Sequence, residues 1–201
     1  MQKFRQWFFY YVGHLVLKLA GWRCSNVMPP DLQKCVMIAA PHTSNWDLLF
    51  TLSTFGVFKI PLRFTIKREW MFPPMGWFFA FLGAIGIDRR PKEESGRKIS
   101  FTQAMIRLFD QHEHLTVLVT PEGTRAYSQE WKTGFYHVAK AAGVPVALGF
   151  LDYKEKHAGV GAVVYPSDDM AADMRQIMAF YQTIHGKYPE KFSIDTRYRP
   201  E

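Results

Sequence analysis

The sequence predicts an α/β fold: a mixed, largely parallel central sheet flanked by helices, with an N-terminal amphipathic helical appendage. Three observations point there. Segments of strand character alternate with segments of helical periodicity along the chain. The strand-like segments are unbroken apolar runs, such as C-V-M-I-A-A at 35–40 and L-T-V-L-V at 115–119. A strand tolerates such a run when helices cover both faces of its sheet. Polar residues also gather just beyond the strand ends, where open sheets of this kind hold their sites.

Residues 7–22 read W-F-F-Y-Y-V-G-H-L-V-L-K-L-A-G-W. As a helix, this region aligns Phe4, Phe8, Val12, Leu15 and Leu19 on one face and sets Lys3, His14 and Lys18 nearly in line. Such a helix lies at a membrane interface with basic edges, or packs its apolar face on the domain. His14 and Lys18 leave the apolar run too short for an ordinary span. No small-residue cleavage pattern follows, so a secretory signal is not expected.

A buried strand is expected at 35–40. It ends in the turn P-H-T-S-N at 41–45, rich in residues that cap helices, and a helix follows at 46–55. The alternating R-F-T-I-K at 63–67 predicts a short strand. Residues 70–87 carry no charge over 18 positions, but Pro73, Pro74, Gly76, Gly83 and Gly86 interrupt them. Two short elements are expected there, a helix at 75–82 and a strand at 84–87, with the aromatic clusters at 70–72 and 77–79 free to touch lipid or an acyl chain.

Residues 91–96 are polar and are expected to form a loop. Helical periodicity over 98–111 rests on Ile99, Met105, Ile106, Leu108 and Phe109. The strand at 115–119 runs into the turn P-E-G-T-R at 121–125. A helix at 133–142 is ended by Gly143, strands follow at 144–150 and 160–165, and Ser167, Asp168 and Asp169 supply a cap for a helix at 170–185. Residues 1–24 therefore divide from the rest as a membrane-association segment, leaving 25–201 as the main domain.

With 201 residues and 48% hydrophobic composition, the chain can build one substantial core. Its net charge of +7 suits anionic lipid, nucleic acid or phosphorylated small molecules. The basic residues are dispersed, with no zinc-finger spacing and no aromatic–basic repeat, so nucleic acid is not an expected partner. Cys24 and Cys35 form neither a disulfide framework nor a Cys-x-x-Cys site, and Cys35 reads as a buried thiol. No compact metal motif is present, so no bound metal is expected.

His42 and Asp47 are five positions apart. On one ideal helix they would stand about 140° apart and could not meet. They meet if His42 sits in the turn before the helix and Asp47 reaches back from its first turn. The carboxylate then accepts a hydrogen bond from the N–H of one ring nitrogen and leaves the other as a base. The second polar group, Glu122, Gly123, Thr124 and Arg125, follows the most apolar strand. Glycine there permits a tight turn, and Arg125 can grip a phosphate through two parallel N–H bonds. Arg89, just past a short strand, is a candidate second grip.

These residues resemble the glycerolipid acyltransferase family, whose best-known bacterial members acylate 1-acylglycerol 3-phosphate. The family's His-x4-Asp motif is matched by H-T-S-N-W-D at 42–47, its glycine-to-arginine strand by G-A-I-G-I-D-R at 83–89, its F-P-E-G-T-R by T-P-E-G-T-R at 120–125, and its strand around proline by V-P-V-A-L-G at 144–149. Thr120 replaces the usual phenylalanine, Leu148 a frequent second proline, and Pro41 a common asparagine. The resemblance covers roughly residues 36–165.

The resemblance implies that His42 is the base, Asp47 its partner, and Arg89, Glu122, Gly123, Thr124 and Arg125 the acceptor and phosphate region. It implies a fatty acyl thioester, acyl-CoA or acyl carrier protein, as co-substrate with no bound cofactor. The implied acceptor is a lysophospholipid, 1-acylglycerol 3-phosphate first among them, met at the cytoplasmic side of a membrane by a peripheral or monotopic protein. Glycerol 3-phosphate and other lyso-lipids are alternative acceptors. Two other classes remain: a metal-dependent phosphoester hydrolase using His42, Asp47 and Glu122, and a non-catalytic lipid-binding module.

Overall fold

Seven strands and six helices alternate in the computed structural model, which describes residues 2–87 and 100–200. In chain order they are α1 (Gln2–Ala20), β1 (Arg23–Asn26), β2 (Lys34–Ala40), α2 (Trp46–Val57), β3 (Leu62–Lys67), α3 (Met75–Leu82), β4 (Ala84–Ile87), α4 (Phe101–Gln111), β5 (Leu115–Val119), α5 (Gly134–Ala142), β6 (Val146–Asp152), β7 (His157–Val164) and α6 (Met170–Tyr181). The strands form one sheet in the order β1-β7-β6-β2-β5-β3-β4. Every neighbouring pair is parallel except β6 and β7, which form an antiparallel hairpin. The sheet is thus mixed and largely parallel, as the apolar runs predict.

β2 shows why its sequence is an unbroken apolar run from Cys35 to Ala40. Successive side chains point to opposite faces. Val36, Ile38 and Ala40 enter the larger core, with Met105 and Phe109 of α4, Phe135 and Val138 of α5, and Met174 and Ile177 of α6. Cys35 and Met37 enter the smaller core with Phe55 of α2 and Leu62 of β3. Both cores close over the same strand, so Cys35, Val36, Met37, Ile38 and Ala40 are all buried.

The helix expected at 46–55 runs to Val57, and that expected at 98–111 is described from Phe101. α4 begins with a capping box, in which Ser100 and Gln103 satisfy each other's backbone N–H groups. Asp169 caps α6 through the N–H of Ala172. α6 ends at Tyr181 rather than at 185. The chain then turns back so that the His185 carbonyl receives the Tyr153 N–H at 2.9 Å. β7 begins three residues earlier than expected, because His157 already pairs with Asp152 across the hairpin.

β1 is a finding of the structure. Its residues R-C-S-N carry no strand pattern, yet they pair in register with β7 from Arg23–His157 to Asn26–Val160. α1 leads directly into it and packs along α2. A methyl group on Gly13 would collide with the Ser53 carbonyl, and one on Gly56 would lie 2.6 Å from the Phe9 carbonyl oxygen, so each helix contributes a glycine at which the other's backbone comes close. The docked side of α1 includes Gly13 and the buried Leu17. The face formed by Phe4, Phe8, Val12, Leu15 and Leu19 stays exposed, Phe4 at 69% and Leu19 at 79%. Phe8 and Phe9 also meet Phe81 of α3 at ring separations of 5.4 and 5.5 Å. α3 leaves Trp77 and Phe78 in the open, Trp77 at 73%. No helix among the described residues is long and apolar enough to cross a membrane.

Candidate active site

The parallel strands β2, β5 and β3 end at one edge of the sheet, and the polar turns of the sequence meet there. His42 follows β2 after a cis Ala40–Pro41 peptide bond. Asp47 lies in the first turn of α2 and is buried. Its carboxylate reaches back out of the helix, as the spacing requires. Asp47 Oδ2 lies 3.2 Å from His42 Nδ1 and accepts the backbone N–H groups of Thr43 and Ser44, each at 2.9 Å. A carboxylate only accepts hydrogen bonds, so the contact at 3.2 Å places the ring proton on Nδ1 and leaves Nε2 with a free lone pair. The His42 side chain is 26% exposed.

The second polar group comes in from β5. Glu122 Oε1 accepts the backbone N–H of His42 at 2.8 Å, which fixes the turn that carries the imidazole. Glu122 is only 6% exposed, and its Oε2 has no hydrogen-bond partner among the described residues. Burial is the chief cause that pushes its carboxyl up to about 7, with the Asp47 charge adding to it and the His42 contacts opposing. Gly123 takes φ 66°, a left-handed conformation that glycine adopts without steric penalty. Thr124 turns its hydroxyl onto the Ala126 N–H at 3.1 Å and faces solvent.

A cavity of about 950 Å³ opens beside the pair. His42, Asp47, Gly123 and Arg125 line it, so the structure brings together most of the residues singled out in the sequence. Thr124 does not reach the lining, Glu122 lies behind it against the His42 backbone, and Arg89 is outside the described residues. The cavity runs under apolar side chains of both layers: Leu48, Phe55 and Leu118 on one side of the sheet, Met105, Phe135 and Val138 on the other. Sites of this kind hold an apolar ligand body and orient it by a few polar groups.

Two residues at the site escape sequence reasoning. Lys132 lines the same cavity as Arg125. Its backbone N–H binds the Pro121 carbonyl at 2.8 Å, and a methyl group on Gly123 would lie 2.5 Å from its ammonium nitrogen. Tyr153, the first residue after β6, donates its hydroxyl to Asp47 Oδ1 at 2.7 Å. The only sequence signal for Lys132 is a lone cation seven positions after Arg125, and for Tyr153 a lone tyrosine past a strand. Both become visible only when distant turns converge.

The arrangement also bears on the other chemistries. A metal site would need His42, Asp47 and Glu122 to converge on one ion. Instead the Asp47 oxygens receive His42, Thr43, Ser44 and Tyr153, and Glu122 receives a backbone N–H. Neither thiol is placed as a nucleophile. Cys35 is buried in the smaller core, where burial pushes its thiol up to about 11, and Cys24 lies on the outer strand β1.

Known proteins match this arrangement in sequence and in fold. A probable 1-acyl-sn-glycerol-3-phosphate acyltransferase of Mycoplasma pneumoniae is 31% identical over 164 residues, 73% of this chain and 58% of that protein. The 1-acyl-sn-glycerol-3-phosphate acyltransferase of Saccharomyces cerevisiae is 28% identical over 156 residues, 72% of this chain and 48% of that protein. The chain spans about half the length of the curated relatives it matches. The crystal structure of the 1-acyl-sn-glycerophosphate acyltransferase from Thermotoga maritima superposes with a TM-score of 0.59 at 16% identity, covering 90% of this chain and 78% of that one, and so shares the fold. The profile of the acyltransferase family matches residues 25–147, the stretch that carries His42, Asp47 and the turn at 121–125, and the chain belongs to that family.

Proposed function

We propose that this protein transfers a fatty acyl group from an acyl thioester, acyl-CoA or acyl carrier protein, to the free hydroxyl of a lysophospholipid. The names of the matched relatives make 1-acylglycerol 3-phosphate the first acceptor to consider. One observation carries the reading: His42 is held through Nδ1 by a buried carboxylate, beside a largely apolar cavity that also holds two cations.

In this reading the acceptor hydroxyl hydrogen-bonds to His42 Nε2. Its oxygen attacks the thioester carbonyl while its proton passes to Nε2, and Asp47 stabilises the imidazolium that forms. The tetrahedral intermediate collapses, the C–S bond breaks, and the imidazolium returns the proton to the departing thiolate. No acyl-enzyme is needed, in keeping with the placement of both cysteines. Arg125 and Lys132 are suited to hold the acceptor phosphate and orient the hydroxyl, a contribution of proximity. Arg89 is proposed with them from its motif alone.

Residues 1–24 and α3 are proposed as the membrane contact. Phe4, Leu15 and Leu19 of α1 and Trp77 and Phe78 of α3 make an apolar surface whose two helices touch through Phe8 and Phe81. A basic chain bearing such a surface suits the cytoplasmic, anionic leaflet.

A donor-by-acceptor assay with mass detection of the product tests the reaction. His42→Ala is expected to lower turnover roughly 10²–10⁴-fold, the usual loss of a general base. Near-normal turnover in that variant overturns the mechanism. Acylation of glycerol 3-phosphate or of lyso-lipids without a terminal phosphate, to the exclusion of 1-acylglycerol 3-phosphate, replaces the acceptor and keeps the chemistry.

A further inference from the structure

Asp47 can orient His42 only if its own carboxylate is fixed. The Cβ–Cγ torsion of an aspartate is broad and its two oxygens are equivalent, so the side chain alone does not fix the plane in which the carboxylate meets the ring. Three donors gather on Oδ2: His42 Nδ1 and the N–H groups of Thr43 and Ser44. The Tyr153 hydroxyl, at 2.7 Å, is the partner on Oδ1.

Tyr153 is itself firmly placed. Its backbone N–H is bound to the His185 carbonyl at 2.9 Å. Its ring meets Trp22 edge-on at 5.0 Å and Phe50 at 5.9 Å, while Trp22 stacks on Phe50 at 4.5 Å. Trp22 joins α1 to β1 and Phe50 belongs to α2, so three separate parts of the chain hold this phenol. Burial, followed by the bond to Asp47 and its charge, raises the phenol far above its ordinary value. It therefore stays a neutral O–H donor wherever the enzyme works.

We infer that Tyr153 is a positioning residue of the reaction: its hydroxyl, steadied by Trp22 and Phe50, fixes the plane of the Asp47 carboxylate so that the oxygen opposite the phenol stays against His42 Nδ1. The inference rests on the reading of His42 as the base. It adds a fourth donor to the acidic partner, from a strand end outside the His-x4-Asp segment. It also gives the α1–β1 junction, through Trp22, a part in setting the base.

The test is the pH dependence of kcat/KM in Tyr153→Phe, which keeps the ring and removes only the hydroxyl. With one donor gone, the carboxylate carries more charge toward the ring proton and favours imidazolium, so the acid limb of the profile moves to higher pH. kcat is expected to fall roughly tenfold, as for loss of one hydrogen bond to a charged group, and KM to stay within about twofold. Among the described residues, Glu122 after β5, Asp152 at the end of β6, His185 and Tyr188 of the C-terminal segment, and Arg125 and Lys132 in the cavity beside His42 are titratable or charged groups around this cluster. The limb must therefore still move when Tyr153→Phe is made in a Glu122→Gln background.

Two further arms guard against a merely structural effect. In a His42→Ala background, Tyr153→Phe should lower the residual rate little further, because the two act as one unit. Trp22→Leu, which loosens the phenol without touching Asp47, should move the acid limb in the same direction. An unmoved limb in Tyr153→Phe with the wild-type kcat, or full additivity with His42→Ala, overturns the positioning role. A His42→Ala enzyme of normal activity would instead overturn the general-base reading itself, so the two failures are distinct.

Discussion

Replacing Glu122 with glutamine should remove a pH-dependent loss of stability that the active-site turn imposes on the fold. Glu122 lies behind His42, 6% exposed, with one oxygen bound to the His42 N–H and the other without a hydrogen-bond partner among the described residues. Burial raises its carboxyl from the ordinary 4.5 to about 7. Below pH 4.5 the group is protonated in both folded and unfolded chains and contributes no pH dependence. Between 4.5 and 7 the unfolded chain gives up the proton while the folded chain keeps it, so stability falls as pH rises. Above 7 both are ionised and the loss is complete. At about 1.4 kcal/mol per tenfold it amounts to about 3 kcal/mol. Glutamine has nearly the same shape, its carbonyl can still accept the His42 N–H, and it does not titrate.

The measurement is urea unfolding of both proteins from pH 4.5 to 8, taken as the difference between the two curves, so that every other titrating group cancels. The difference should shift by about 3 kcal/mol in favour of glutamine as pH rises. Parallel curves would mean that the carboxyl is solvated in the folded protein. A shift in favour of glutamate would mean that it is paired and held ionised. Either result refutes the account of this turn.

Two further outcomes follow from the same geometry. Arg125→Ala and Lys132→Ala should each raise KM for a phosphorylated acceptor while changing the rate with an unphosphorylated one little; equal losses on both acceptors would remove the phosphate role. Replacing Leu15, Leu19, Trp77 and Phe78 together by serine should weaken co-sedimentation with vesicles containing anionic lipid while leaving the thermal unfolding midpoint within a few degrees, because all four are exposed; unchanged binding would place the membrane contact on another surface.

The sheet's centre was legible because its physics is local. β2 and β5 are buried on both faces, and burial demands an apolar run that any reader of the sequence can find. The pairing of His42 with Asp47 was legible for a similar reason: five residues around a helix start allow few geometries, and one of them brings the two side chains together. The edge strand β1 was not legible, because R-C-S-N acquires its strand form only from the ladder that β7 offers. Nor was the docking side of α1. Apolar residues surround that helix, and what selects the buried side is the close approach of backbones at Gly13 and Gly56 rather than hydrophobicity.

The sequence by itself therefore determined the layered sheet, the polar turns at its edge and a spacing that lets Asp47 reach His42. All of these follow from periodicity and from spacings of a few residues. Only the tertiary structure decided that Tyr153 completes the Asp47 carboxylate from 106 positions away, that Lys132 shares a cavity with Arg125, and that Glu122 is buried against the His42 backbone. The physical reason is that each of these depends on where separate strand ends come to lie. Hydrogen bonding and desolvation act through distance in space, and no pattern of neighbours along the chain encodes that distance.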